Sequence, residues 1–153
     1  MPNNLLSVSH LQQRNQSDCL PICTQMVAGY LGKNLSYRRL TRLLGTRRFG
    51  TPFRNISRLD SVGLSVAIEH LPASEMPPYL SSGIPIIASV DTSPLKYWSQ
   101  SVDHVIVVIG LDDTHIYAND PAFADGGYPI PLTQFELAQL RFDLLCAILT
   151  LPN

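Results

Sequence analysis

Helical and strand-like patterns occupy separate halves of this sequence, and that division constrains the fold more than any other feature. Before Gly63 the apolar residues recur at helical spacing, whereas after it they fall into short apolar or alternating runs. Helices followed by strands are typical of an α+β domain, not of a chain that alternates helices with parallel strands. The predicted fold class is therefore α+β, with N-terminal helices packed on an antiparallel β-sheet.

Capping residues and glycines set the expected element boundaries. Helices are predicted over 19–31, 36–44 and 51–62, each followed by a glycine, after a short extended lead-in over 1–12. Asp18, Ser36 and Thr51 are expected to cap these three helices. The elements predicted after Gly63 are, in order, a strand over 64–68, a short helix over 75–80, strands over 85–90, 102–111 and 114–118, a helix over 133–140 opened by the capping-box spacing of Thr133 and Glu136, and a final strand over 144–151.

Length, composition and charge narrow the class of protein. A chain of 153 residues predicts a single domain over 1–153, and 45% hydrophobic with 15% charged residues is enough apolar content for a core. The net charge of −1 gives no overall attraction for nucleic acid or for a membrane surface. The sequence shows neither a secretory signal pattern nor an apolar run long enough to span a membrane, and its three cysteines favour reduced thiols. These features predict a soluble, cytoplasmic protein that requires no cofactor.

The positive charges are concentrated in one segment. Between positions 38 and 58 almost no acid accompanies the arginines, which are Arg38, Arg39, Arg42, Arg47, Arg48, Arg54 and Arg58. Such a cluster suits the docking of an acidic partner, because arginine binds carboxylates through two parallel hydrogen bonds. In the alternative interpretation the arginines form ordinary solvated helix faces, or pair within the fold with acids such as Asp60 or Glu69.

Cys19 is the candidate nucleophile. It stands at the start of the first predicted helix, and the positive end of a helix dipole favours a thiolate over a thiol. Cys23 lies one turn further along the same helix, and Cys146 lies in an apolar run typical of the core. Each of the three cysteines also fits a small buried core residue, which is the more common role for this amino acid.

His104 and Asp120 are the candidate base and orienting acid. His104 opens an apolar strand, and Asp120 follows the next strand, with a turn expected at Asp112–Asp113 between them. In such a hairpin His104 falls opposite residue 121, so a carboxylate is placed behind the imidazole. The competing interpretation is a core or rim histidine and an ordinary Asp-Pro turn.

Gln13 is the candidate oxyanion donor, and a zinc site is the alternative use of the other candidate residues. Six residues before Cys19, a glutamine amide could donate to a developing oxyanion together with the Cys19 backbone N–H, although a glutamine here also fits a solvated position. A zinc site could use Cys19, Cys23, His104 and Asp120, but no second pair with ligand spacing follows. No metal is therefore expected.

Four ordered motifs resemble those of the bacteriocin-processing (double-glycine leader) cysteine peptidases. They are QRNQSDCLPIC around the nucleophile, DHVIVVIG around the histidine, YANDPA around the acid and LTQFE near the end. The resemblance covers about residues 13–149 and implies a papain-like fold, a Cys19–His104–Asp120 triad and Gln13 as oxyanion donor. It implies a free-standing member without an exporter. Leu20 replaces the glycine that commonly follows the nucleophile, which puts the double-glycine specificity in question.

The function predicted is that of a cysteine peptidase acting on a peptide or protein, with a leader peptide cut after small residues as one candidate. The acidic segment suggested by the arginines would belong to that substrate. Deamidation or acyl transfer would use the same triad, and a non-catalytic peptide-binding module would keep only the fold. The presence of every expected catalytic residue favours an enzyme.

Overall fold

The computed structural model describes residues 4–153, and it places one antiparallel sheet between two layers of helices. On one side lie α1 (Cys19–Tyr30), α2 (Tyr37–Leu43) and a 3₁₀-helix (Phe53–Val62); on the other lie α3 (Pro77–Ser81) and α4 (Leu132–Leu140). The six strands are β1 (Ser65–His70), β2 (Ile86–Asp91), β3 (Asp103–Leu111), β4 (His115–Asn119), β5 (Tyr128–Pro131) and β6 (Leu145–Thr150), in the order β1-β6-β2-β3-β4-β5. The predicted α+β class is confirmed.

Strand β3 owes its continuous apolar sequence to burial on both faces. Val105, Val107 and Ile109 pack in the core beneath α1, whereas Ile106 and Val108 pack in the second core, which contains residues of α4. An antiparallel strand with one solvated face would alternate apolar and polar residues, and β3 does not. The central strands thus hold the two helical layers together.

The β3–β4 hairpin forms around the predicted turn at Asp112. Its carboxylate accepts hydrogen bonds from the N–H groups of Thr114 and His115, at 2.9 and 2.8 Å. Val107 pairs with Asn119, and a bulge lies between Val108 and Gly110. The ends of the hairpin therefore meet within about one residue of the predicted register, with Asp120 directly after β4.

Residues 4–12 of the predicted lead-in form neither helix nor strand and are bound to that hairpin, and residues 1–3 lie outside the described part of the chain. The N–H of Leu6 donates to the Ile109 carbonyl at 2.9 Å, and the side-chain amide of Asn119 donates to the Val8 carbonyl at 2.9 Å. A side chain at position 110 would collide with Leu5, so Gly110 allows the close approach of the two segments. These contacts fix the path of the chain as it enters α1.

The structure corrects three expectations about helix starts. Asp18 occupies the N-cap position of α1, but its carboxylate makes no capping bond and turns back towards the preceding loop. Thr51 does not cap the third helix, which begins at Phe53 after Pro52 and is a 3₁₀-helix rather than an α-helix. Likewise α4 begins at Leu132 after Pro131, and the capping box predicted at Thr133 does not form.

Two further differences concern the second half. The helix predicted over 75–80 is divided into a 3₁₀ turn (Ala73–Glu75) and α3, and strand β5 had no counterpart in the sequence-based prediction. Strand β5 lies at the edge of the sheet, whereas the 3₁₀ turn contributes the buried Ala73 to the second core. Among the described residues no helix has the length and hydropathy that a membrane crossing requires.

Candidate active site

Cys19 is the first residue of α1, and its side chain is half-buried. The residue before it, Asp18, is fully buried, and its carboxylate accepts hydrogen bonds from the N–H groups of Arg14 and Asn15 at 3.3 and 3.2 Å. The Tyr37 hydroxyl of α2 donates to the same carboxylate at 2.7 Å. The loop that leads to Cys19 is thus closed on itself and anchored to the neighbouring helix.

His104 and Asp120 meet at the open end of the β3–β4 hairpin. The Nε2–H group of His104 donates to Oδ1 of Asp120 at 2.6 Å, and both side chains are almost completely buried. The strands bring together two residues that are sixteen positions apart, as the hairpin prediction required. A carboxylate in this position fixes the tautomer and the orientation of the imidazole ring.

The Asp120 carboxylate accepts three further hydrogen bonds. Oδ2 accepts from the Tyr97 hydroxyl at 2.7 Å and from the Trp98 indole N–H at 2.9 Å, and Oδ1 accepts from the N–H of Ala122 at 3.0 Å. The Trp98 ring also packs edge-on against the His104 ring, with 4.7 Å between centroids. A buried charge is tolerated only when it is paired and hydrogen-bonded, and these donors meet that requirement.

The electrostatics favour a charged His104–Asp120 pair. Burial alone would lower the pKa of His104, but hydrogen bonding to Asp120 and to Cys19 outweighs it and raises that pKa to about 9. Burial would raise the pKa of Asp120, yet the interactions with His104 and Tyr97 hold it below its usual value. The side chain of Cys19 therefore lies close enough to influence the imidazole that Asp120 holds from the other side.

Gln13 lies on the same cleft as His104. Its backbone N–H donates to the Pro121 carbonyl at 2.7 Å, which ties the lead-in to the residue after Asp120. The side-chain Oε1 is buried and has no hydrogen-bond partner within residues 4–153. The amide is thus not used to hold the fold together.

The cleft has a volume of about 450 Å³ and is built from three separate parts of the chain. Its lining residues are Gln13, Gln16, Ser17, Arg48, Phe49, Trp98, Ser101, Val102, Asp103 and His104. One wall of the lining comes from the loop before α1, and the remainder comes from the arginine-rich segment and from the approach to β3. A cleft of this volume is within the range of ligand-binding sites in proteins.

The other two cysteines lie in the core. The Cys23 thiol is fully buried and donates to the Val105 carbonyl at 3.4 Å, and burial raises its pKa well above the usual value. Burial likewise raises the pKa of Cys146 to about 12. No group of three or more metal-ligating side chains is assembled in the described chain, so the zinc alternative receives no support from the geometry.

The arginines of positions 38–58 are all exposed, and within residues 4–153 none of them forms an ion pair. The interpretation in which they pair with Asp60 or Glu69 is therefore wrong. Arg58 donates to the Leu43 carbonyl at 3.3 Å, whereas Arg38, Arg39 and Arg42 project from α2.

Tyr97 and Trp98 are site residues that the sequence patterns did not reveal. They lie between β2 and β3, in a stretch without helix or strand periodicity, and they reach Asp120 only through the fold. The one available signal was the presence of the only tryptophan and a neighbouring tyrosine a few residues before the histidine motif. Polar-tipped aromatic residues commonly place a donor where the rest of the ring is buried.

This fold, with a thiol at the start of its first long helix beside a histidine–carboxylate pair, defines a papain-like cysteine peptidase. The chain belongs to the peptidase C39 family, whose family model matches residues 7–141. No curated protein sequence matches the chain significantly.

Solved structures of other proteins share the fold at low sequence identity. A protein from Bacillus anthracis described as a C39-like peptidase is 14% identical, with a TM-score of 0.80 over 97% of this chain and 98% of that one. The peptidase domain of Streptococcus ComA, a bi-functional ABC transporter of a quorum-sensing pathway, is 19% identical, with a TM-score of 0.79 and coverages of 95% and 99%. A double-glycine motif protease of an AMS/PCAT transporter, solved with a leader peptide, is 19% identical, with a TM-score of 0.77 and coverages of 98% and 96%.

Proposed function

We propose that this cysteine peptidase cleaves a peptide substrate, such as a leader peptide, through a Cys19–His104–Asp120 triad with Gln13 as oxyanion donor. The observation that carries the proposal is the 2.6 Å bond between His104 and a fully buried Asp120, beside a thiol at a helix N-terminus. The leader peptide is suggested by the peptide-bound relative, and the family supports the peptidase class.

In the proposed reaction the Cys19 proton already resides on His104, whose raised pKa favours the imidazolium, and the Cys19 sulfur attacks the scissile carbonyl carbon as a thiolate. The Gln13 side-chain amide and the Cys19 backbone N–H donate to the oxyanion of the tetrahedral intermediate. His104 then gives its proton to the leaving amine, so the C–N bond breaks and a thioester remains on Cys19. Water, deprotonated by His104, hydrolyses that thioester and releases the acid product. Asp120 remains ionised throughout and holds the imidazole.

Mutation of the triad tests this assignment. Cys19→Ala and His104→Ala should each abolish turnover of an internally quenched peptide that contains a Gly-Gly sequence, and the double variant should be little worse than either single one, because the two residues act as a unit. Cys146→Ala is the matched control, since that thiol lies in the core away from the cleft, and it should retain turnover. Turnover that persists in Cys19→Ala would remove this cysteine from the mechanism.

Residues 1–153 are proposed to form a single peptidase domain. The family model ends at residue 141, but β6 (Leu145–Thr150) pairs with both β1 and β2 inside the sheet. A strand in that position cannot be removed without separating its neighbours, because each of them would lose its hydrogen-bonding partner.

The substrate is proposed to carry an acidic segment that binds the arginine face, defined as Arg38, Arg39 and Arg42 of α2. These side chains are exposed and unpaired with any described carboxylate, so their charge is available to a partner. Arg39→Glu with Arg42→Glu should weaken the affinity for an acidic peptide, and the loss should diminish as salt is added. Alkylation of Cys19 by iodoacetamide should be unchanged. An affinity that responds to neither salt nor charge reversal would show that the face is only solvated surface.

A further inference from the structure

The segment between α2 and the 3₁₀-helix forms a tight hairpin whose two tip residues are Arg48 and Phe49. The N–H groups of Arg47 and Gly50 each donate to the carbonyl of the other residue at 3.0 Å. At the base, the hydroxyls of Thr46 and Thr51 are 2.6 Å apart and share a hydrogen bond. The hairpin tip, Arg48 and Phe49, is therefore held out from the body of the protein on a bonded stem.

Phe49 is 96% exposed, far more than any other large apolar residue of the described chain. The next most exposed is Leu140 at 64%. Phe49 also makes no aromatic pair among residues 4–153. The ring contributes almost nothing to folding in this position, yet an aromatic ring gains strongly from burial against an apolar group.

The hairpin tip lines the cleft that contains His104. Phe49 and Arg48 share that lining with Trp98, whose indole ring packs against the His104 ring. A peptide bound in this cleft would therefore contact the tip. An apolar side chain of that peptide would cover the exposed ring of Phe49 and would itself leave water, which favours binding.

Arg48 brings a positive charge to the cleft lining. Arg48 forms no ion pair and no hydrogen bond through its side chain with the described residues. The cleft carboxylate, Asp103, is paired with Arg141 at 3.2 Å. A carboxylate brought by the substrate would find Arg48 free to bind it.

We propose that the hairpin tip is a specificity-determining arm of the cleft, which selects a substrate with a large apolar residue and an adjacent acidic residue near the scissile bond. Phe49 packs on the apolar side chain and Arg48 binds the carboxylate. The inference rests on the proposed function and adds the substrate features that this site recognises. It differs from the arginine face of α2, which lies outside the cleft lining.

The test compares cleavage preferences in a pool of random-sequence peptides, with cut sites read by mass spectrometry. The wild-type protein should enrich a large apolar residue with an adjacent Asp or Glu near the cut. Phe49→Ala should lower the apolar enrichment roughly tenfold, as expected for one lost apolar contact, and Phe49→Leu should keep part of it. Arg48→Glu should abolish the acidic enrichment, and this preference in the wild type should weaken with added salt.

Matched controls separate selectivity from general damage. Leu137→Ala removes a 57% exposed apolar side chain on α4, and Arg54→Glu reverses an exposed arginine outside the cleft lining; both should keep the wild-type preferences. Thermal unfolding and the iodoacetamide reactivity of Cys19 should be unchanged in the tip variants, because the tip makes no core contact. Wild-type selectivity in both Phe49→Ala and Arg48→Glu would overturn this inference and leave the proposed function standing. A wild-type protein that cuts no peptide would overturn the proposed function, and this inference with it.

Discussion

The loop from Gln13 to Cys19 carries both proposed oxyanion donors, so its shape should control turnover more than binding. Tyr37 holds this loop from α2, because its hydroxyl donates to the buried Asp18 carboxylate at 2.7 Å. The Arg14 guanidinium stacks over the Tyr37 ring, 4.0 Å from the centroid. Tyr37→Phe keeps the ring and the stacking but removes the hydroxyl.

The size of the expected loss in kcat follows from the hydrogen bonds that Asp18 keeps in Tyr37→Phe. Asp18 would retain only the N–H groups of Arg14 and Asn15, at 3.3 and 3.2 Å, which are long for hydrogen bonds to a carboxylate. A hydrogen bond to a charged group is worth about 1.5–3 kcal/mol, and an oxyanion donor contributes roughly a hundred- to a thousand-fold in kcat. A loosened loop misplaces that donor without removing it, so we expect kcat to fall about tenfold with little change in KM.

The assay measures kcat and KM for peptide cleavage in Tyr37→Phe, alone and combined with Gln13→Ala. If Tyr37 acts through the loop, its effect on kcat should shrink once Gln13 has been truncated, because the donor it positions is gone. Tyr30→Phe is the matched control, since it loses a phenol bond of equal length to the Gly83 carbonyl, far from the loop. Equal kcat losses from Tyr37→Phe with and without Gln13 would refute the positioning role, and so would an unchanged kcat.

Two further predictions concern the site itself. Gln13→Ala should lower kcat roughly a hundred-fold in the peptide assay and leave KM nearly unchanged, and a wild-type rate would leave only backbone donors in the oxyanion site. The pKa of His104, raised from 6.5 to about 9, should make the free energy of unfolding depend on pH. The stabilisation from this residue should be complete below pH 6.5 and lost as the pH rises through 9. At about 1.4 kcal/mol for each tenfold change in proton affinity, the loss is on the order of 3 kcal/mol. Urea unfolding should show it in the wild type and not in His104→Gln; equal pH dependence in both proteins would contradict it.

The order of the elements was predictable because their sequence signals are local. Residues 105–109 of β3 are apolar at every position because they lie between two helical layers, and the Asp112 turn follows β3 directly. These two features fix the hairpin and therefore bring His104 and Asp120 together. The sheet order β1-β6-β2 was not predictable, since it joins strands from opposite ends of the second half through contacts that leave no local pattern.

The missed details have particular physical causes. Strand β5 contains Pro129 and Pro131, which lack an N–H to donate and argue against a strand, but β5 lies at the sheet edge where proline is tolerated. The helix over Phe53–Val62 buries only Ile56 and Leu59, which are three residues apart. That spacing fits both a 3₁₀-helix and an α-helix, so the apolar pattern could not separate them.

The β3–β4 hairpin explains why the proposed triad was recognisable from the sequence, whereas the residues that hold the triad in place were not. Three segments of the site are bound to this hairpin, or to the residues directly after it, by long-range hydrogen bonds. The Cys23 thiol joins α1 to Val105, the Gln13 N–H joins the lead-in to Pro121, and the indole of Trp98 joins the β2–β3 connection to Asp120. The reacting groups must stand in short ordered motifs because their chemistry demands particular residues. The contacts that hold them can be made by any donor that the fold delivers, so they become visible only once the chain is folded.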